Sequence, residues 1–141
     1  MYLDSAYVAK FYVNEPDSLA VREAMRRAES LVTSAWSVAE VMCAFHRHFR
    51  EGALDAKQFQ RTLHTFREHT EIEFWTLIPV TEVVLARVAA RIAALPAEVF
   101  LRAGDAIQLA SAVESGEHEI WSSDRRLLAA ALHFGLTGRT A

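Results

Sequence analysis

The feature that most constrains this chain is an alternation. Four short stretches that read as strands, Tyr2-Leu3, Leu31-Val32-Thr33, Phe74–Val80 and Glu119–Ser122, are each followed by at least one longer segment with helical spacing. That order implies βα units, a parallel sheet and helices on both of its faces. Helix far outweighs strand, so the expected fold class is α/β: three layers, helix-rich, around a short-stranded parallel sheet.

Local signals set the expected helix limits. Ala6–Val13 reads as a short helix closed by the turn Asn14-Glu15-Pro16. Asp17 is placed to cap a second helix running to about Ala28. Ser34 is placed to cap a third helix, which reaches Arg50 and stops at Gly52. Val38, Val41, Met42, Phe45 and Phe49 recur at helical spacing and should form its core face. Asp55 and Gln58 have the spacing of a capping box for a helix over 54–71. Thr81 caps another to Leu95. After a loop, a helix over Asp105–Ser115 is apolar on most sides. Asp124 opens the last helix, through Phe134; Gly135 ends it, and Leu136-Thr137 adds an edge strand.

With 141 residues the chain suits one domain, 1–141, and 52% apolar residues suffice for a sizeable core. No repeat, low-complexity tract or linker interrupts it. The start Met-Tyr-Leu-Asp has no basic region or long apolar stretch, so no secretory signal is expected. No transmembrane helix is expected either. The single cysteine, Cys43, offers no disulfide within the chain and no zinc pair, which suits a cytoplasmic location. The net charge of −3 argues against a large basic footprint for nucleic acid. Cations are nonetheless skewed, 13 arginines against the two lysines Lys10 and Lys57. Arginine suits bidentate phosphate contacts, and a GC-rich coding bias gives the same skew.

Four acids stand out by position. Asp4 ends the first strand and Asp124 follows the 119–122 strand. Asp105 lies near a helix start, and Glu40 near the second turn of the helix after 31–33. In an open parallel sheet, ligands bind beyond the carboxyl ends of the strands, where the strand order switches. All four acids belong to that edge. Glu40 has Trp36, Cys43 and Ala44 at helical spacing, none of which neutralises a carboxylate. Asp105 stands between Leu101 and Leu109, with Arg102 its nearest cation. A buried, unpaired carboxylate is costly, and a divalent cation compensates it. Oxygen donors without a His or Cys cluster point to Mg²⁺ or Mn²⁺. Four acids around one or two such ions equip a chain for phosphodiester hydrolysis. Taken singly, Asp4 and Asp124 also suit N-caps, and Asp105 suits a helix-start acid paired with Arg102. The six histidines have poor spacing for a metal and read as surface or half-buried. The apolar residues around Phe45, Phe49, Phe59 and Phe66 suit a core, or else a groove for a partner helix.

Four segments carry a resemblance: Tyr2-Leu3-Asp4-Ser5-Ala6, Ser37-Val38-Ala39-Glu40-Val41, Ala103-Gly104-Asp105-Ala106-Ile107-Gln108-Leu109-Ala110 and Ser122-Ser123-Asp124-Arg125-Arg126-Leu127. In this order they resemble the motifs of the PIN-domain family, and among these the VapC-type toxins of toxin–antitoxin pairs. The third is the most specific. The resemblance runs from Met1 to about Thr137 and departs mainly at Trp121, where a smaller β-branched residue is expected. It implies a PIN-like fold and a Mg²⁺- or Mn²⁺-dependent endoribonuclease. Asp4, Glu40, Asp105 and Asp124 would be its metal and catalytic acids, with Ser5 and Ser122 supporting them or touching substrate phosphate. It further implies a homodimer, a cognate antitoxin as partner, and tRNA or ribosomal RNA loops as substrate. Arg125 and Arg126 beside Asp124, and Arg47 and Arg50 on the Glu40 helix, are candidate RNA contacts.

Three other readings were open. A phospho-accepting receiver domain needs an acidic pair on the first strand and a late lysine; only Asp4 ends that strand, and no lysine follows Lys57. Structure-specific DNA nucleases of related kind usually carry extra acids and insertions. A PIN-fold binding module that acts through its antitoxin without turnover is the remaining alternative.

Overall fold

Strands of two or three residues make a sheet only if every edge but the outermost is paired and both faces are covered. The computed structural model, which describes residues 1–141, meets that condition. Strands β1 (Tyr2–Leu3), β2 (Val32–Ser34), β3 (Thr76–Ile78), β4 (Glu119–Trp121) and β5 (Thr137–Arg139) form one sheet in the order β3-β2-β1-β4-β5. All four pairings are parallel. The helices are α1 (Ser5–Tyr12), α2 (Ser18–Arg26), α3 (Ser37–Arg50), α4 (Ala56–Glu71), α5 (Glu82–Ala93), α6 (Ala103–Glu114) and α7 (Arg125–Ala131). None is long and apolar enough to cross a membrane.

Central strand β1 shows how the layers form. Successive side chains on a strand point to opposite faces. Tyr2 joins a core with Ile120, Val84 of α5, Leu109 of α6 and Leu127 of α7. Leu3 joins the opposite core with Tyr7 of α1, Val21 of α2, Phe45 of α3 and Phe66 of α4. Helices α1–α4 therefore cover one face and α5–α7 the other, giving the expected three-layer α/β/α arrangement. The order reverses at β1, whose neighbours β2 and β4 lie on opposite sides. A crevice opens there, beyond the carboxyl ends of the strands.

Local signals held where the backbone was free to use them. The Asp55–Gln58 capping box forms with both bonds, and Thr81 caps α5 through the Val84 N–H. Gly52 takes a positive φ of 77° just past α3, and Gly135 one of 78° after the 3-10 turn Leu132–Phe134 that continues α7, which glycine does at least cost.

Elsewhere tertiary structure moved the boundaries. Ser34 does not cap α3. It ends β2, and the next N–H, of Ala35, still bonds to Ile78 O at 2.8 Å, so the helix starts only at Ser37. Asp17 makes no cap bond because its carboxylate is taken by Lys10 Nζ at 2.6 Å. Helix α6 starts at Ala103, which puts Asp105 in its first turn. The 74–80 strand shortens to Thr76–Ile78, and the last strand lies at Thr137–Arg139. On α3 the core face is narrower than its pattern: Val41 and Phe45 are buried, while Val38 and Phe49 are exposed. Of the four phenylalanines read as core or groove, Phe45 and Phe66 are core. Phe49 stacks on Phe59 at 4.8 Å and 7° near the surface.

Candidate active site

The carboxyl ends of β1 and β4 and the first turns of α3 and α6 enclose a cleft of about 510 Å³. Asp4, Glu40, Asp105 and Asp124 all line it, with Ser5, Arg47, Arg102 and Gln108. Chain topology alone permitted this meeting; the fold brings it about.

Asp4 leaves β1 in extended conformation and caps α1, its Oδ1 accepting the Tyr7 N–H at 2.8 Å. Its Oδ2 accepts the hydroxyl of the fully buried Ser122. The same Ser122 Oγ accepts the Asp124 N–H at 2.9 Å, so one hydroxyl ties the ends of β1 and β4 together. Asp124 is exposed and caps α7: its Oδ1 accepts the N–H groups of Arg126 at 2.7 Å and Leu127 at 3.2 Å. The N-cap role and the cleft position thus coexist in both aspartates.

Glu40 is placed by a buried polar chain. The Tyr2 hydroxyl donates to Gln108 Oε1 at 2.9 Å. Gln108 Nε2 then donates to Ser37 Oγ and to Glu40 Oε2, each at 2.9 Å. Gly104 makes room on the other side. A Cβ there would stand 2.6 Å from Glu40 Oε1 and 3.2 Å from Trp36 Nε1.

The electrostatics follow from burial and crowding. Asp4 is pushed up to about 6, because burial outweighs its hydrogen bonds from Ser122 and Tyr7 and the charge of Lys10. The Asp105 carboxyl is also raised, first by burial, then by Asp124 and Glu40; Arg102 opposes this without prevailing. None of the four acids takes part in an ion pair, so the proposed Asp105–Arg102 pair is not formed. The acids share the cleft, but no three of them are gathered to the spacing that holds an ion. Mutual repulsion favours that spread.

Ser5 opens α1 at the cleft wall, and Arg47 lies in the wall as well. Arg125 and Arg126 lie in a neighbouring depression with Phe100. Arg50 is exposed near the end of α3 and does not line the cleft. Sequence reading missed Glu15, a fifth acid of the cleft, hidden in the turn after α1. It differs from the four in being paired, with His48 Nε2 at 3.0 Å and Lys10 Nζ at 3.8 Å. The roles of Gln108 and Gly104 were missed too, although both sit in the most specific of the four segments.

No curated protein matches the sequence. Among solved structures, FitAcB from Neisseria gonorrhoeae is similar, with TM-score 0.72 and 18% identity, over 97% of this chain and 94% of that one. FitAB bound to an IR36 DNA fragment is similar at TM-score 0.71 and 16% identity, over 99% and 93%. VapBC2 from Rickettsia felis, bound to a DNA fragment from their promoter, is similar at TM-score 0.67 and 10% identity, over 99% and 97%. At such identities the likeness is one of fold. The family model of the PIN domain matches residues 1–132, which take in all five of the cleft's acids and every strand but the last; the chain belongs to the PIN-domain family.

Proposed function

We propose that this chain is a Mg²⁺- or Mn²⁺-dependent endoribonuclease and the toxin of a type II toxin–antitoxin pair. One observation carries the reading: four carboxylates without cation partners line one cleft, and the most buried, Asp4, is pushed up to about 6. Carboxylates crowded in this way call for positive charge, and an all-oxygen donor set suits a hard divalent cation. Asp4, Asp105 and Asp124 would hold it, with Glu40 as a further ligand. When bound, such an ion activates water and stabilises the leaving oxygen of a phosphodiester.

The chain's own residues supply the rest. Ser122 fixes Asp4 and the start of the Asp124 turn, and Gln108 fixes Glu40. Ser5 and Arg47, which line the cleft, would meet the substrate phosphate, and Arg102 would add a second guanidinium at the cleft wall. No side chain of the cleft is needed as a nucleophile, so cleavage should leave a 5′-phosphate and a 3′-hydroxyl. A 2′,3′-cyclic phosphate product would mean attack by the 2′-hydroxyl and would sink this mechanism. A cytoplasmic location, a homodimer, an antitoxin partner and a tRNA or ribosomal RNA target belong to the same proposal, on the resemblance to VapC-type toxins.

A second reading has its own support. The similar VapBC2 and FitAB structures are bound to DNA. That favours a regulatory module which acts through its antitoxin at a promoter, without turnover.

Incubating purified, antitoxin-free chain with total cellular RNA in Mg²⁺, Mn²⁺ or EDTA, beside Asp4→Ala, separates the two. The nuclease reading expects discrete fragments that need metal and vanish in the variant. Intact RNA with a folded wild-type sample transfers the weight to the regulatory module.

A further inference from the structure

The loop between α5 and α6 carries an aromatic ring that neither core uses. Val99 and Leu101 both pack against the α5–α7 core, and the Val99 N–H bonds to Pro96 O at 3.0 Å. Phe100, held between these two anchors, is turned outward and is 54% exposed. Single exposed apolar side chains are ordinary. This one is distinguished by its neighbours. The Arg126 guanidinium carbon lies 4.8 Å from the ring centroid and that of Arg102 lies 5.7 Å from it. Arg125 and Arg126 line, with Phe100, a depression of about 290 Å³ in which Glu98 is the one acid, and Arg102 reaches the ring from the acidic cleft. The arginines that form ion pairs are Arg26, Arg27, Arg87 and Arg139, so the three around Phe100 are left unpaired.

This depression adjoins the acidic cleft by two routes. Arg102 lines the cleft and also reaches Phe100. The Arg126 N–H caps onto Asp124 while its side chain reaches the same ring. A strand of nucleic acid with a phosphate among the acids would therefore bring an adjacent nucleotide to Phe100.

We propose that Phe100, with Arg102, Arg125 and Arg126, forms a subsite for a nucleobase of single-stranded RNA flanking the scissile phosphate. The inference deepens the nuclease reading and rests on its placing RNA in the cleft. An aromatic face that attracts a guanidinium also stacks a base. A base that replaces a guanidinium on the ring would free that guanidinium for a flanking phosphate. Stacking is tolerant of base identity, so the subsite selects unpaired over paired RNA rather than one sequence.

The test is anisotropy titration of a fluorescein-labelled single-stranded RNA decamer of randomised sequence, in Ca²⁺ so that the all-oxygen site is not left bare, with a gel after the titration to show the RNA intact. Phe100→Ala should weaken binding roughly five- to a hundredfold, with the salt dependence unchanged because no phosphate contact is lost. Phe100→Trp should restore binding. The double variant Arg125→Gln, Arg126→Gln should instead flatten the salt dependence, by up to about two contacts. Phe100 lies outside both cores, and an unchanged melting temperature in Phe100→Ala shows that the fold is intact. If that variant binds the decamer as wild type does while the wild type cleaves RNA, the subsite is overturned and the nuclease reading stands. If Phe100→Ala weakens binding while no RNA is cleaved in Mg²⁺ or Mn²⁺, a base-binding site at Phe100 stands but the nuclease reading, and with it the scissile phosphate, falls. A Phe100→Trp that binds no better than Phe100→Ala also overturns the subsite.

Discussion

The two walls of the cleft are built differently. On one, both carboxylate oxygens of Asp4 accept hydrogen bonds, and Glu40 is gripped by Gln108 at the end of a buried polar chain. On the other, Asp124 is exposed with both cap bonds on Oδ1, and Asp105 is half-buried without an ion pair. The first wall is fixed before any ligand arrives. The second leaves Asp124 Oδ2 without a hydrogen bond. A cation in such a site would be held by preset ligands on one side and by less constrained ones on the other. Building the fixed wall has a cost, which is the unfavourable burial of Asp4.

The largest effect expected from this contrast is on the fixed wall. The folded Asp4 carboxyl titrates near about 6, the unfolded one at its ordinary 3.8. Between these values the folded protein holds a proton that the unfolded chain has released. The contribution to stability is complete below pH 4 and is lost as pH rises through 6, in total about 3 kcal/mol. Asp4→Asn should remove most of this slope in metal-free protein, leaving the part due to Asp105, as read by denaturant melts from pH 4 to 7. A slope unchanged in the variant would show that Asp4 is not the group that titrates, and the contrast between the walls would fail.

A smaller effect of the same sign is expected on the second wall. Asp105→Asn removes the repulsion from Asp124 and Glu40, so it should raise the melting temperature of the metal-free protein modestly while abolishing cleavage. A clear loss of metal-free stability would instead mean that Arg102 relies on the Asp105 charge.

The smallest stability effect is expected at Gly104. Glycine-to-alanine within a helix ordinarily stabilises by about 0.5–1 kcal/mol. Here the new methyl meets the end of the flexible Glu40 side chain. Gly104→Ala should leave stability within about 1 kcal/mol of wild type, because Glu40 swings away. Cleavage should still fall, because Glu40 then leaves Gln108. Wild-type cleavage by that variant would show that the grip on Glu40 is not needed.

Much of this was legible in the chain itself. Local rules read the helices, because caps, positive-φ glycines and helical spacing act within a few residues. The alternation of short strands and helices gave the three layers. The four acids could be picked out because Glu40 and Asp105 lack a compensating neighbour on their own helices. The misreadings share one cause. Asp17 and Ser34 have the chemistry of caps, but packing between elements moved them: the Asp17 carboxylate takes Lys10 of α1, and because the Ala35 N–H stays bonded to β3 the Ser34 hydroxyl accepts, of the backbone, only the Trp36 N–H, ahead of the helix.

The sequence by itself determined the layer architecture, the edge on which the acids lie and the lack of a His or Cys cluster beside them, since these depend on residue order and type. Only the tertiary structure decided that Ser122 links Asp4 to Asp124, that Gln108 reaches Glu40, that Gly104 clears space for it, and that Glu15 is paired while the four acids are not. Those contacts join residues up to 118 positions apart, as from Asp4 to Ser122. No local pattern encodes which distant side chain arrives, because that depends on how strands and helices pack once both cores have closed.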